Sequence, residues 1–135
     1  MSEYSDPKTI ATLYLDAMSR RDFRSFERML SQDVLFTGPA GTLTGAQPVA
    51  GAYKRLSSVL VRNDLKRLFM DGNEACVIYD FVTDTPAGAV ATVEWLKIGQ
   101  GKIHSIWLVT DHVRWPLVLA EIARRAQLTA AARPA

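Results

Sequence analysis

One carboxyl group stands out in this chain. The run Val90-Ala91-Thr92-Val93-Glu94-Trp95-Leu96 carries no other charge, so Glu94 is a lone acid amid apolar neighbours. Desolvation disfavours the ionised form of an acid and raises its pKa. A glutamic acid kept neutral in this way donates a hydrogen bond to a carbonyl or hydroxyl oxygen. The same residue read structurally is a core glutamate paired with lysine, arginine or tyrosine. Tyr14 is the second group of interest. It lies on the stripe Ile10, Leu13, Tyr14, Ala17 and Met18 of a predicted first helix. Its ring packs there whether or not its hydroxyl does chemistry.

Other residue types with reactive side chains form no constellation. His104, His112 and Cys76 lack metal-ligand spacing, so no metal and no cofactor are expected. No phosphate-binding glycine loop, dinucleotide fingerprint or nucleophile elbow is present in the sequence. Asp111 and His112 are adjacent, and neighbours on a strand point to opposite faces. By the same alternation Asp80 and Asp84 face away from Glu94's side of a sheet. A single cysteine excludes an internal disulfide, and Cys76 reads as a small packed apolar residue in a reducing, cytoplasmic setting. A net charge of +2 with scattered basic pairs gives no ground for a nucleic-acid partner. No apolar stretch is long enough to span a membrane, and Met1 to Asp6 lack the basic and apolar regions of a signal peptide.

The elements that must position Glu94 and Tyr14 are marked by turn and cap residues. Asp6 and Pro7 predict the start of the first helix, and Asp22 caps a second carrying Phe23, Phe26 and Leu30. Residues 33–37 read as a strand, Gly38-Pro39-Ala40-Gly41 as a turn, and residues 42–44 as a short return strand. Thr44 and Gln47 have capping-box spacing ahead of a third helix with Val49, Tyr53, Leu56 and Leu60 on one face. Four strand-like runs follow at 65–70, 74–84, 89–98 and 102–111, split by Asp71-Gly72-Asn73, Thr85-Pro86-Ala87-Gly88 and Gly99-Gln100-Gly101. Trp115-Pro116 opens a terminal helix to about Leu128, with a frayed tail over 129–135. The 135 residues, 48% hydrophobic and 22% charged, suit one soluble domain spanning 1–135. Helices segregated from an antiparallel sheet make it α+β: a curved sheet closed by N-terminal helices into a cone with a pocket, plus a C-terminal helix.

Strand alternation then sorts side chains by face. Val90, Thr92, Glu94 and Leu96 share one face with Val77, Tyr79 and Phe81 and with Ile106, Leu108 and Thr110. Val93, Trp95, Trp107 and Val109 take the other. Two tryptophans on an outer sheet face need cover. A homodimer through Trp95 and Trp107 supplies it; so would the terminal helix folding back over them.

The pieces Tyr14-Leu15-Asp16-Ala17, Arg21-Asp22-Phe23, Asp33-Val34-Leu35-Phe36 and Gly101-Lys102-Ile103, in this element order, resemble the nuclear-transport-factor-2-like superfamily. Ketosteroid isomerases and SnoaL-like polyketide cyclases share that fold. The resemblance implies that Tyr14 sits where isomerases place an oxyanion-binding tyrosine, and Glu94 where they place a neutral acid. Their general base precedes Pro-x-Gly. Here the stretch is Thr37-Gly38-Pro39-Ala40-Gly41, so Gly38 holds the base position and cannot take a proton. SnoaL-like cyclases and limonene epoxide hydrolases use an aspartate on the last strand, where Leu108 stands; Glu94 replaces the cyclase histidine. The resemblance implies one pocket for Tyr14 and Glu94 as catalytic pair. With it, Tyr53, Tyr79, Phe81, Phe36, Leu108, Ile106 and Thr92 are the expected ligand contacts, and Tyr53 and Tyr79 read alternatively as core rings. The expected ligand is a small hydrophobic, oxygen-bearing molecule. The expected chemistry is isomerisation, cyclisation or dehydration without a cofactor, or ligand binding alone. Phe36, Phe69 and Phe81 are the side chains able to fill the cavity.

Overall fold

The structure is a computed structural model that describes residues 6–132. The chain runs α1 (Pro7–Ser19), α2 (Phe23–Arg28), β1 (Leu30–Gly38), β2 (Gly41–Thr44), α3 (Ala46–Leu56), β3 (Leu60–Asp71), β4 (Glu74–Thr83), β5 (Ala89–Gly99), β6 (Lys102–Thr110) and α4 (Trp115–Ala132). This α+β order is the expected one. The strands form one six-stranded sheet, β2-β1-β6-β5-β4-β3. Neighbours are antiparallel except β1 and β6, which run parallel. Helix α1 packs on β3, β4 and β5, and α3 packs on β1 and β2.

Local chemistry explains most boundaries. Gly72 takes φ +59° in the tight link between the paired residues Asp71 and Glu74, a backbone that two-residue hairpins require. Asp22 caps α2 by accepting from the Ser25 amide at 3.2 Å. Four helix caps and ends differ from expectation. Asp6 accepts from the Thr9 hydroxyl at 2.8 Å instead of capping a backbone amide. Thr44 forms no capping box, because it remains in β2 paired with Leu35. Gly45 is the N-cap of α3 instead, at φ +105°. Leu30 and Leu60, expected on helices, are buried at the first positions of β1 and β3.

Strand β3 begins five residues earlier than its apolar run, at Leu60 rather than Leu65. Register shifts at Leu60/Arg62 and Leu65/Arg67 break its alternation, so its faces cannot be read by counting in twos. On β4 and β5 alternation is strict. Val77, Tyr79, Phe81, Val90, Thr92, Glu94 and Leu96 are all buried on the helix-covered face.

The opposite face is open. Phe69, Cys76, Trp95 and Trp107 form one cross-strand row. Trp95 is 38% exposed and Trp107 51% exposed, so α4 does not cover them. Their rings stack with centroids 5.8 Å apart, and Trp95 Nε1 donates to Glu74 Oε1 at 2.7 Å. Phe69 is on this outer side, 48% exposed with Arg67 over its ring, and so fills no cavity.

Helix α4 runs on to Ala132, past the residue where fraying was expected. It buries only Val118 fully, with Trp115 and Ile122 packed against the core. No helix of the described residues is long and apolar enough to cross a membrane. The N-terminal stretch read as lacking a signal peptide, and the end of the tail, fall at residues 1–5 and 133–135, outside the described residues.

Candidate functional site

Glu94 is 1% exposed, at the middle of β5. Three tyrosines from three elements converge on it. Tyr14 on α1 donates to Oε1 at 2.5 Å, Tyr53 on α3 donates to the same oxygen at 2.8 Å, and Tyr79 on β4 donates to Oε2. All three rings are buried. Each arrives for a local reason. Tyr14 is carried by the apolar stripe of α1. Tyr79 shares the inner face of β4, where its Cα partner is Thr92. Tyr53 is held by rings, with Phe26 at 4.9 Å and Phe36 edge-on at 5.7 Å between centroids.

Burial holds the Glu94 carboxyl above the ordinary glutamate range, while the three hydroxyl donors pull against that rise. Burial likewise pushes the three phenols well above 10, reinforced by the charge of Glu94. The phenols therefore stay protonated as donors, and the carboxyl is the member of the cluster that titrates.

Space at the cluster is scant. The chamber beside Glu94 has about 10 Å³, roughly the room of a single water. Side chains fill most of the open cavity expected there. Phe81, Thr92 and Leu108 line this chamber, as their strand parity required. Ile106 is buried but lines neither this chamber nor the larger hollow beyond it. That hollow has about 300 Å³ and lies between the β1–β2 turn, α3 and α4. Phe36 lines it rather than the chamber. Leu56, Leu108 and Trp115 line both spaces and form the wall they share.

Three polar chamber residues escaped the sequence-based site, beside the apolar Leu15, Met18, Phe26 and Leu56. Asn63 sits in the irregular part of β3, where alternation gives no guide. Trp115 was legible only as a helix opener. Thr110 had the right parity but no chemistry to single it out. Asn63 Oδ1, Thr110 Oγ1 and Trp115 Nε1 are each buried without a hydrogen-bond partner.

The base position is doubly closed. A Cβ built on Gly38 would lie 2.7 Å from Cε1 and Cζ of Phe36, so the Phe36 ring occupies the space a side chain there would need. Asp111 is not on β6; its Oδ1 accepts from the Val113 amide at 2.9 Å at the approach to α4. Asp80 pairs with Lys66 and Asp84 with Arg125, both away from Glu94. Among the described residues no cluster of three His, Cys, Asp or Glu side chains is placed to hold a metal ion.

Residues 11–106 match the SnoaL-like domain. The chain belongs to the SnoaL-like family. No curated protein matches it in sequence. Among solved structures, a steroid delta-isomerase from Pseudomonas aeruginosa superimposes with TM-score 0.77 at 16% identity, covering 98% of each chain. A proposed SnoaL-like polyketide cyclase from Shewanella putrefaciens gives TM-score 0.70 at 17% identity, over 85% of this chain and 86% of that one. A de novo designed protein with a curved sheet gives TM-score 0.75 at 19% identity, over 92% of this chain and 98% of the other. The backbone of this SnoaL-like domain is thus shared with a chain made by design, and the likeness speaks for fold alone.

Proposed function

We propose that this SnoaL-like protein binds a small, mainly apolar molecule and that Glu94 with its tyrosines holds a carbonyl or hydroxyl oxygen of it. The carrying observation is the cluster itself: a fully buried carboxyl whose partners are three phenols rather than a cation. An ionised Glu94 accepts from all three. A protonated one has a proton to give and frees a tyrosine hydroxyl to turn toward a ligand oxygen. Donors fixed in a dry site are worth more than the same donors in water. The hollow between α3 and α4 shares Leu56, Leu108 and Trp115 with the chamber, and movement of these side chains would open the way inward.

Catalysis is the second reading. A carboxyl raised by burial is better matched to moving a proton near neutral pH. Tyr14 and Glu94 would then serve cofactor-free isomerisation, cyclisation or dehydration. Binding comes first because Glu94 is the one carboxyl lining the chamber among the described residues and position 38 is glycine.

Calorimetric titration with 2-tetralone, an apolar bicycle with one carbonyl, tests the binding reading. Glu94→Gln keeps a donor and should retain most of the affinity, whereas Glu94→Ala should lose about tenfold, the worth of one good hydrogen bond. Equal binding by wild type and Glu94→Ala removes the proposal. Exchange of the tetralone α-protons in heavy water, followed by NMR, tests catalysis. Exchange no faster with wild type than with Glu94→Gln leaves binding alone.

We also propose that two copies pair through the outer face. The support is the exposed row of Phe69, Trp95 and Trp107, which α4 leaves uncovered.

A further inference from the structure

The hollow between the β1–β2 turn, α3 and α4 carries an unbalanced charge. Arg55 lines it, and no aspartate or glutamate among the described residues does so. The rest of the wall is mainly apolar, with Phe36, Leu43, Leu56, Leu119 and Ile122. Elsewhere in the fold arginines find acids. Arg20, Arg62, Arg114, Arg124 and Arg125 each pair with a carboxylate. The Arg55 guanidinium has no such partner among the described residues. Arg24 and Arg28 also lack one, but the polar surface hollow they line holds Glu27 and Gln32 beside them.

The local sequence explains where the Arg55 head group lies. Gly51 stands about one helical turn before it. A Cβ built on Gly51 would be 3.9 Å from Arg55 Nη1. The guanidinium thus lies back along α3 over a residue with no side chain of its own. The next residue, Ala52, lines the hollow and leaves room there.

A cation on an apolar wall without an acid suits an amphipathic anion. The guanidinium is a planar fork that grips a carboxylate through two parallel hydrogen bonds. One cation balances one negative charge, whereas a phosphate monoester at about −1.5 to −2 would leave charge uncompensated. The hollow has about 300 Å³. That is roughly the share of ten waters, so the ligand has about ten non-hydrogen atoms. Leu119 is 43% exposed on the α4 side, so an alkyl chain reaches the wall without breaking the core.

We propose that this hollow binds a small amphipathic carboxylate of the medium-chain fatty-acid class, with its head on Arg55 and its chain against Leu43, Leu119 and Ile122. The site makes no use of Glu94 and goes beyond the function proposed for that cluster.

Isothermal titration calorimetry with octanoate, 1-octanol and octylammonium tests it. Wild type should bind octanoate and reject octylammonium. Arg55→Gln should lower octanoate affinity about fivefold, the upper range for an ion pair that reaches solvent, and leave octanol affinity within about twofold. Leu119→Glu puts a carboxylate in the hollow and should abolish octanoate binding. Both substitutions are at exposed positions on different helices, and melting curves check that each variant folds. Octanoate that fails to bind wild type at millimolar concentration overturns the proposal. So does octylammonium bound as tightly as octanoate, or an octanoate-to-octanol ratio that Arg55→Gln leaves unchanged. Octanoate binding untouched by Leu119→Glu places the ligand elsewhere. Glu94→Ala separates the two sites. It should leave octanoate affinity as it is, and a loss matching that of Arg55→Gln would put the carboxylate at the Glu94 cluster instead.

Discussion

At Glu94 burial and hydrogen bonding oppose each other, and burial prevails. Its folded pKa lies above the ordinary 4.5, so the folded protein holds this proton more tightly than the unfolded chain does. Stability from this group is complete below 4.5 and is lost as pH rises through the folded value. Glutamine at position 94 does not titrate. The melting temperature of Glu94→Gln relative to wild type should therefore climb with pH from about 4.5 and then level off. A flat or opposite difference shows an ordinary or depressed carboxyl. Gly38 supports a second expectation. A general base is commonly worth about two to four orders of magnitude in rate, so wild type should not migrate the double bond of a 3-oxo-Δ5-steroid efficiently. Gly38→Asp alone should not restore the reaction, because the Phe36 ring stands 2.7 Å from the new Cβ. Isomerase-level turnover by wild type would show another base at work. Glu94 and Tyr14 were legible because an acid in a strand without charge, and a tyrosine on an apolar stripe, are visible in one dimension. Tyr79 was legible too, as a face-mate of Glu94 by strand alternation. The arrival of Tyr53 at the same carboxyl was not, since it depends on how α3 packs against β1.

Helix α4 is the lightly held element. Arg125 ties it down, donating to the Ser58 carbonyl at 2.6 Å and to Asp84 at 2.7 Å, and it also donates to Glu121 of the same helix at 3.0 Å. Exposed pairs of this kind are worth only about 0.2–1 kcal/mol. Arg125→Ala should therefore barely change global melting, yet raise amide hydrogen exchange within α4 ahead of the sheet. Uniform acceleration across the protein would mean that α4 is part of the cooperative core. Glu121 is held at about 2 by its hydrogen bonds from Arg124 and Arg125. Its contribution is present above the ordinary 4.5 and is lost as pH falls toward 2. The start of α4 was readable from Trp115-Pro116. Its seat over the hollow was not, because the wall shared by hollow and chamber joins Leu56, Leu108 and Trp115 from three separate elements. Strand β3 was shortened in the sequence reading for a different reason: its bulges destroy the alternation that exposed β4 and β5 so clearly.

For the whole molecule, the outer face sets the expected assembly. Sedimentation at micromolar concentration should give a mass near twice 15.0 kDa. Trp107→Lys should return it to the monomer, because an ammonium buried in that row has no partner. A monomer at every concentration removes the proposal, and the stacked tryptophans then serve the single chain.

The parallel pairing of β1 with β6 also orders events in time. Phe36 pairs with Ile106, seventy positions later in the chain. At about 5–20 residues per second, the ribosome needs several seconds to deliver that partner. Until then the β1–β2 hairpin has an unpaired edge along β1 and no link to β3, β4 and β5. The Glu94 cluster, drawn from α1, α3, β4 and β5, assembles only after most of the chain has emerged. A nascent chain halted before β6 should recruit chaperones along β1, and release of the last strand should end that recruitment.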